Sequence, residues 1–372
     1  MPKKPSSKKT KKTPHGSRKH PTPPGGFALF IKAFTISCLV FSSVLFGGTY
    51  VVSHIRPPQL PPVNPPSLLL ETPAYVDVEP DALDVLIGGG MRAPEGFTSE
   101  DRKELFYTFL IVGLDQGANT DTIIVASYDA QEHIAHAISI PRDTRVNVSR
   151  RVRKINAAHP AGTRFGEGPD SGIRQLKREV RTLIGFEPDF YVELGHEGFV
   201  RLIDAIGGVE LNVPFHMRYD DPFQNLSVNI PEGLHLLNGE SALQFARFRH
   251  SNHGYRSISD FDRMKNQQAV ISAAIDRLIR PESILRIPEF ISIFQENVRT
   301  NMTPSNILWF ASQLRHFEGA QAFTTYTLPI ARNSGPPSWY EFPDINRTLE
   351  LINSTINPFT LPISQSDIDI VQ

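Results

Sequence analysis

In the stretch ALQFARFR, Arg247 and Arg249 stand two residues apart, and beyond a polar loop Asp260, Arg263 and Gln267 follow at i, i+3 and i+7. Residues two apart share a face of an extended chain, and residues three and seven apart share a face of a helix. The two patterns therefore gather three guanidinium groups, a carboxylate and an amide. Guanidinium groups held ~8 Å apart without anions repel by about 2 kcal/mol per pair at an effective dielectric near 20. A phosphate ligand removes that cost, and the planar, always-charged fork of arginine grips phosphate oxygens in bidentate fashion. Caps or surface ion pairs would explain either cluster by itself; together they point to a phosphate or pyrophosphate clamp.

Two more motifs fit such a clamp. The segment GLDQGANTDT sets Asp115 at the end of one strand and Asp121 at the start of the next. A tight turn would bring both carboxylates onto one hard cation, while ordinary turn chemistry explains the same residues without a metal. The run SIPRDT places Arg142 and Asp143 at the exit of a third strand, where α/β folds commonly carry functional groups. Other signals fail. Gly88-Gly89-Gly90 lacks the G-K-[ST] of a P-loop, Ser139 has no nucleophile-elbow context, and the twelve histidines show no zinc-enzyme spacing.

The elements needed to hold these groups are legible around them. FYTFLIVGL (106–114), TIIVASY (122–128) and HIAHAISI (133–140) read as a β-meander. Ile173, Leu176, Val180 and Leu183 recur at helical spacing between an N-cap at Asp170 or Ser171 and a C′ glycine, Gly185. A strand at Tyr191–Leu194, a helix at 197–206 and a strand at Val209–Val213 follow. Asp260–Arg280 reads as a long helix, and Thr303-Pro304 opens another to about His316. A strand near Ala322–Leu328 and a helix near Ile345–Ile356 close the chain. Interleaved helices and strands predict a layered α-β-α domain with a central mixed sheet.

Charge is segregated. Nine of the 38 basic residues precede Ala33 and no acidic residue comes before Glu71, which leaves 29 basic against 39 acidic residues in the remainder. An acidic body argues against nucleic acid as a partner. Ala33–Val52 is an uncharged run of 20 residues, long enough to cross about 30 Å of hydrocarbon. It reads as an uncleaved anchor, and the positive-inside rule leaves the Lys-rich tail in the cytoplasm with the body outside the cell membrane. Cys38, the single cysteine, lies within it, so thiol catalysis and an intrachain disulfide are excluded. The expected organisation is a basic tail (1–32), a transmembrane anchor (33–52), a Pro-rich spacer (53–79) and an extracytoplasmic domain (80–372).

In order and spacing, FLIVGLDQGANTDTIIVASYDA, AISIPRDTRV, KINAAH, FVRLIDAIGGVELNVP, IPEGLHLLNGESALQFARFR and DFDRMKNQQ, spanning 105–275, resemble the LytR-CpsA-Psr family of bacterial cell-wall proteins. The resemblance implies a phosphotransferase that moves a glycan, through its sugar phosphate, from a polyprenyl-pyrophosphate carrier onto peptidoglycan. It further implies Mg²⁺ (or Mn²⁺) at Asp115 and Asp121, and pyrophosphate binding by Arg142, Arg247, Arg249, Arg263 and Gln267 with Asp143 and Asp260 beside them. An apolar pocket for the polyprenyl tail is part of the same expectation. The general base stays open among Asp115, Asp121 and Asp143.

Two departures mark this chain. Asn266 stands where many members have arginine before the glutamine pair, and the DQGANT loop is short and lacks an arginine found in many. One or two positive charges are thereby missing. Hydrolysis of the lipid carrier by the same site, and a membrane-bound regulator that binds lipid-linked precursor without turnover, are the alternative readings.

Overall fold

A computed structural model describes residues 56–63, 91–115, 119–221, 226–251, 257–280, 286–317, 322–336 and 338–371. The expected tail (1–32), the anchor (33–52) and the spacer apart from 56–63 lie outside the described residues. Among the described residues no helix is long and apolar enough to cross a membrane. Contacts divide the chain at Ile55/Arg56, and every element below belongs to Arg56–Gln372.

A mixed six-stranded sheet forms the centre. The predicted meander is present as β1 (Phe106–Leu114), β2 (Thr120–Asp129) and β3 (Ile134–Ser139), each antiparallel to the next. β4 (Phe190–Leu194) lies parallel to β1. Two short strands from the C-terminal third, β9 (Val298–Thr300) against β4 and β10 (Phe323–Thr327) parallel to β3, complete the order β10-β3-β2-β1-β4-β9.

Alternation along the strands feeds two cores. Leu110, Val112, Ile123, Val125 and Ile138 face one side. There they meet α2 (Ser171–Ile184) through Ile173, Leu176, Val180 and Leu183, and α8 (Ile345–Thr355) through Ile352. Phe109, Ile111, Ile124, Ala126 and Ala137 face the other side, where Ile271 of α5 (Asp260–Leu278) packs on them. Helices on both faces explain why the central strands carry apolar side chains on both.

A second cluster sits beyond α5. It is built from α3 (His196–Ala205), β5 (Val209–Val213), β6 (Met217–Asp221), β7 (Leu226–Ile230), β8 (Gly233–Leu237) and α4 (Gly239–Arg247). The remaining helices are α1 (Ala158–Phe165), α6 (Ile287–Asn297) and α7 (Pro304–Gln313).

The local signals act as physics requires, with one exception. Ser259 caps α5, its Oγ accepting from Asp262 N at 3.1 Å while Asp262 returns a bond to Ser259. Thr303 caps α7, with Pro304 in the first turn. Gly185 ends α2 at φ +87°, and a Cβ there would meet Ile363 Cγ2 at 2.6 Å. The start of α2 differs: Asp170 occupies the cap position but makes no capping bond, because its carboxylate accepts from Arg299 Nη2 at 2.8 Å. The described part of the Pro-rich segment packs on the domain. Val63 pairs with Met91, and Tyr107 Oη donates to Pro58 O at 3.4 Å.

Candidate active site

One end of the sheet collects the chemistry. β1 and β4 are parallel and both finish there, at Leu114 and Leu194, while β2 begins there and β3 ends there. The ladder continues one step past β3, with Ile140 N donating to Ile123 O at 2.8 Å. The chain leaving β3 therefore carries Arg142 to the start of β2, and Arg142 Nη1 donates to Asp121 Oδ1 at 3.2 Å.

Helix α5 supplies the second half. Its N-terminus points the positive end of the helix dipole at this region, and Asp260 and Arg263 project from its first turn. Asp260 is the hub: Oδ2 lies 3.4 Å from Arg142 Nε, and Oδ1 lies 3.4 Å from Arg249 Nη2 and 3.6 Å from Arg263 Nη2. Arg247 is the last residue of α4; extended Phe248 follows, and Arg249 is then turned towards Asp260. Arg142, Arg247, Arg249 and Arg263 thus meet, together with Gln267, at the rim of one opening.

The arginine repulsion expected from sequence is largely relieved by Asp121 and Asp260. The arginines nevertheless differ. Burial works against the charge of Arg142, but Asp260, Asp143 and Asp121 more than offset it and raise its pKa. Arg263 is deeper, 5% exposed, and burial followed by repulsion from Arg142 lowers its pKa despite Asp260 and Asp121. Nε of Arg142 and Nε of Arg263 are both buried without a hydrogen-bond acceptor, the first because its 3.4 Å approach to Asp260 lacks bonding geometry. Buried N–H groups are normally satisfied, so both guanidiniums retain donor capacity in this structure.

Beneath this rim the floor turns apolar. A cavity of about 450 Å³ runs between α3, α4, α5 and the sheet, lined by Ile111, Phe199, Ile206, Phe248, Val270 and Ala274, among others. It meets the polar end at Asp121, Arg142, Arg263 and Gln267. Beside it a narrower cleft is walled by Asp121, Arg142, Asp143, Asp260, Arg263, Gln267 and Glu341 together with Ile123, Ile124, Ile140 and Met264.

Of the two carboxylates considered for a cation, Asp121 borders both spaces, whereas Asp115 borders neither. Asp115 takes Asn119 N at 2.9 Å and Asn119 Nδ2 at 3.0 Å, closing the turn. Both aspartates act on His196, the first residue of α3, whose pKa is lowered by burial and by Arg247 against their pull. They consequently share a neighbourhood. No group of three or more Asp, Glu, His or Cys with metal-binding geometry occurs among the described residues. Asp115 and Asp121 are oxygen donors of the type a hard cation takes.

Asp143 lies in the cleft but is held by Lys154 Nζ at 2.8 Å. Of the glutamine pair, Gln267 reaches the site, while Gln268 Nε2 donates to Ser139 Oγ and Tyr326 O, both at 2.9 Å, and docks α5 on the sheet. Asn266 Nδ2 donates to Phe245 O at 3.4 Å and joins α5 to α4. His159 of the KINAAH motif is a buried structural residue, 3.1 Å from Glu193. The sequence reading missed Lys154, His196 and Glu341. The signal for Glu341 was an isolated carboxylate in a short apolar strand, YEFP.

The model described as LytR_cpsA_psr family matches residues 92–353. The chain belongs to that family. Among its relatives, the polyisoprenyl-teichoic acid–peptidoglycan teichoic acid transferase TagV of Bacillus subtilis is 27% identical over 267 residues, covering 69% of this chain and 65% of TagV. The regulatory protein MsrR of Staphylococcus aureus is 28% identical over 231 residues, 60% of this chain and 64% of MsrR. The chain therefore spans a little under two thirds of each of these relatives. The crystal structure of B. subtilis TagV superposes with a TM-score of 0.56 at 26% identity, covering 68% of this chain and 96% of that one.

Proposed function

We propose that this chain is a phosphotransferase that moves a glycan phosphate from a polyprenyl-pyrophosphate carrier onto peptidoglycan, and that the glycan is a wall polymer of the teichoic acid class. The observation that carries the reading is the junction of an apolar cavity of about 450 Å³ with a rim of four arginines. That shape matches an amphiphile with a long hydrocarbon tail and a multiply charged head. The name of TagV, with its polyisoprenyl donor, supports the same substrate class.

In this reading Arg142, Arg247, Arg249 and Arg263 clamp the pyrophosphate, with Gln267 beside them. Asp260 holds three of the four forks in place before the donor arrives. Preorganised charge of this kind supplies most of the catalysis in phosphoryl transfer. Incubation with a labelled lipid-linked glycan and peptidoglycan fragments tests the proposal: conjugate is expected, whereas free sugar phosphate indicates hydrolysis and unchanged donor indicates a binding protein.

Asp115 and Asp121 are the residues that would hold Mg²⁺ or Mn²⁺, and a cation bound there neutralises pyrophosphate charge. With only two protein carboxylates, metal affinity by itself is weak. The affinity should rise at least tenfold when polyprenyl pyrophosphate is present, and by reciprocity the lipid should bind at least tenfold more tightly with metal. Calorimetry with each ligand in turn measures both. Equal lipid affinity with and without metal in the wild type, or unchanged coupling in Asp121→Asn, would remove the aspartates from that role.

The proposed location is the outer face of the cell membrane with the tail 1–32 in the cytoplasm, on the strength of the Lys-rich segment before Ala33–Val52. A reporter active only outside the cytoplasm, fused after Gln372, should be active. A well-expressed but silent fusion contradicts the orientation.

A further inference from the structure

Four carboxylate residues line the cleft, and three are committed to cations. Asp121 is paired with Arg142, Asp143 with Lys154, and Asp260 with Arg142, Arg249 and Arg263. The fourth, Glu341, has no ion pair among the described residues, and its buried Oε2 has no hydrogen-bond partner. Its backbone is fixed beside the strand exit that carries Arg142. Glu341 N donates to Asp143 O at 3.0 Å, Arg145 N donates to Glu341 O at 2.8 Å, and Thr144 and Glu341 form a parallel bridge. Strand β12 (Glu341–Pro343), antiparallel to β11 (Ile330–Asn333), thereby delivers this carboxylate to the cleft from nearly two hundred residues downstream.

We propose that Glu341 accepts the proton of the acceptor hydroxyl during transfer, a role that rests on the transfer reading above. The oxygens of the other three carboxylates are already engaged by Arg142, Lys154, Arg249 and Arg263. Glu341 differs in that it lines the cleft and keeps a buried carboxylate oxygen without a partner. The charged groups that face it are Asp143, Asp260, Lys154 and Arg142. Burial, then repulsion from Asp143 and Asp260, opposed by Lys154 and Arg142, pushes its pKa up to about 7. A base poised near neutrality couples adequate strength with adequate ionisation.

The step balances without an added reactant. The acceptor O–H bond breaks and its proton goes to Glu341 Oε2. The hydroxyl oxygen bonds to the phosphorus carrying the sugar. The bond from that phosphorus to the bridging oxygen breaks, and its electron pair leaves with polyprenyl phosphate. Glu341 then passes the proton to water or to that phosphate, whose second pKa is near 6.

The full-length protein with Glu341→Gln and Glu341→Asp tests this. Because the ionised form is the active one, wild-type kcat/KM for the acceptor should rise with pH and level off above about 7. Glu341→Gln should cut transfer by about 10²–10⁴-fold while polyprenyl-pyrophosphate binding stays within twofold. Glu341→Asp should recover part of the rate with the ascending limb displaced. Transfer by Glu341→Gln within threefold of wild type overturns the assignment, as does an unmoved limb in Glu341→Asp. A loss that tracks donor binding overturns it too, since it would mark a positioning residue. Failure of the wild type to form conjugate overturns the transfer reading itself and is seen before any variant is compared.

Discussion

Arg263→Met is expected to lower transfer by about 10²–10³-fold without lowering the melting temperature, whereas Arg142→Met should lower both. The contrast follows from the opposite perturbation of two neighbouring guanidiniums. Arg263 is buried at a cost, and the fold disfavours its charge through desolvation and the closeness of Arg142. A methionine of similar length removes that cost and keeps the packing. Arg142 is held by Asp121 and Asp260 together, and its removal takes from Asp121 the cation paired with it and from Asp260 one of three. The arginine repulsion read from the sequence is offset at Arg142 by two carboxylates and at Arg263 by the single, longer contact to Asp260. Kinetics with a lipid-linked donor and thermal melts of the two variants decide the matter. A stable, fully active Arg263→Met protein would take Arg263 out of the clamp.

The second large effect concerns the cavity. Ala274 lies on α5 and lines it, so Ala274→Trp should fill space meant for the polyprenyl chain while leaving the rim intact. Each buried CH₂ contributes about 0.8 kcal/mol, so excluding about four methylenes costs roughly 3 kcal/mol, or about 200-fold in donor affinity. A donor with a short prenyl chain, which does not reach Ala274, should lose little. Equal losses for long and short donors would show that the tail binds elsewhere.

Much of this site could be read from sequence because neighbouring strands bring it together. Asp121 and Arg142 lie at opposite ends of adjacent antiparallel strands, so a meander with correct bounds suffices to make them neighbours. Asp260 and Arg263 follow from helical spacing behind a capping box. The expected role of Asp115 is harder to see in the fold, where Asn119 occupies its carboxylate; turn chemistry and cation chemistry use the same residue types. Three things were not legible. The cavity is assembled from α3, α4, α5 and the sheet, and no local pattern announces a space left between elements. The β6–β7 hairpin alternates over too few residues to stand out. Glu341 reaches the cleft through a single bridge to Thr144, a long-range pairing that hydrophobic periodicity does not encode.

The strand order has a consequence for how the chain acquires its structure. β1, β2 and β3 form from local hairpins and can pair early, but β4 joins only after the intervening helices, and the two outer strands β9 and β10 lie in the last quarter of the sequence. Until those arrive, β3 and β4 present open backbone edges, the condition under which strands pair with the wrong partner. Folding should therefore be limited by late, non-local closure rather than by the hairpins. Truncation before Phe323 would leave β3 uncovered and would also delete Glu341, so loss of the C-terminal segment is expected to yield a chain that aggregates rather than a smaller working domain.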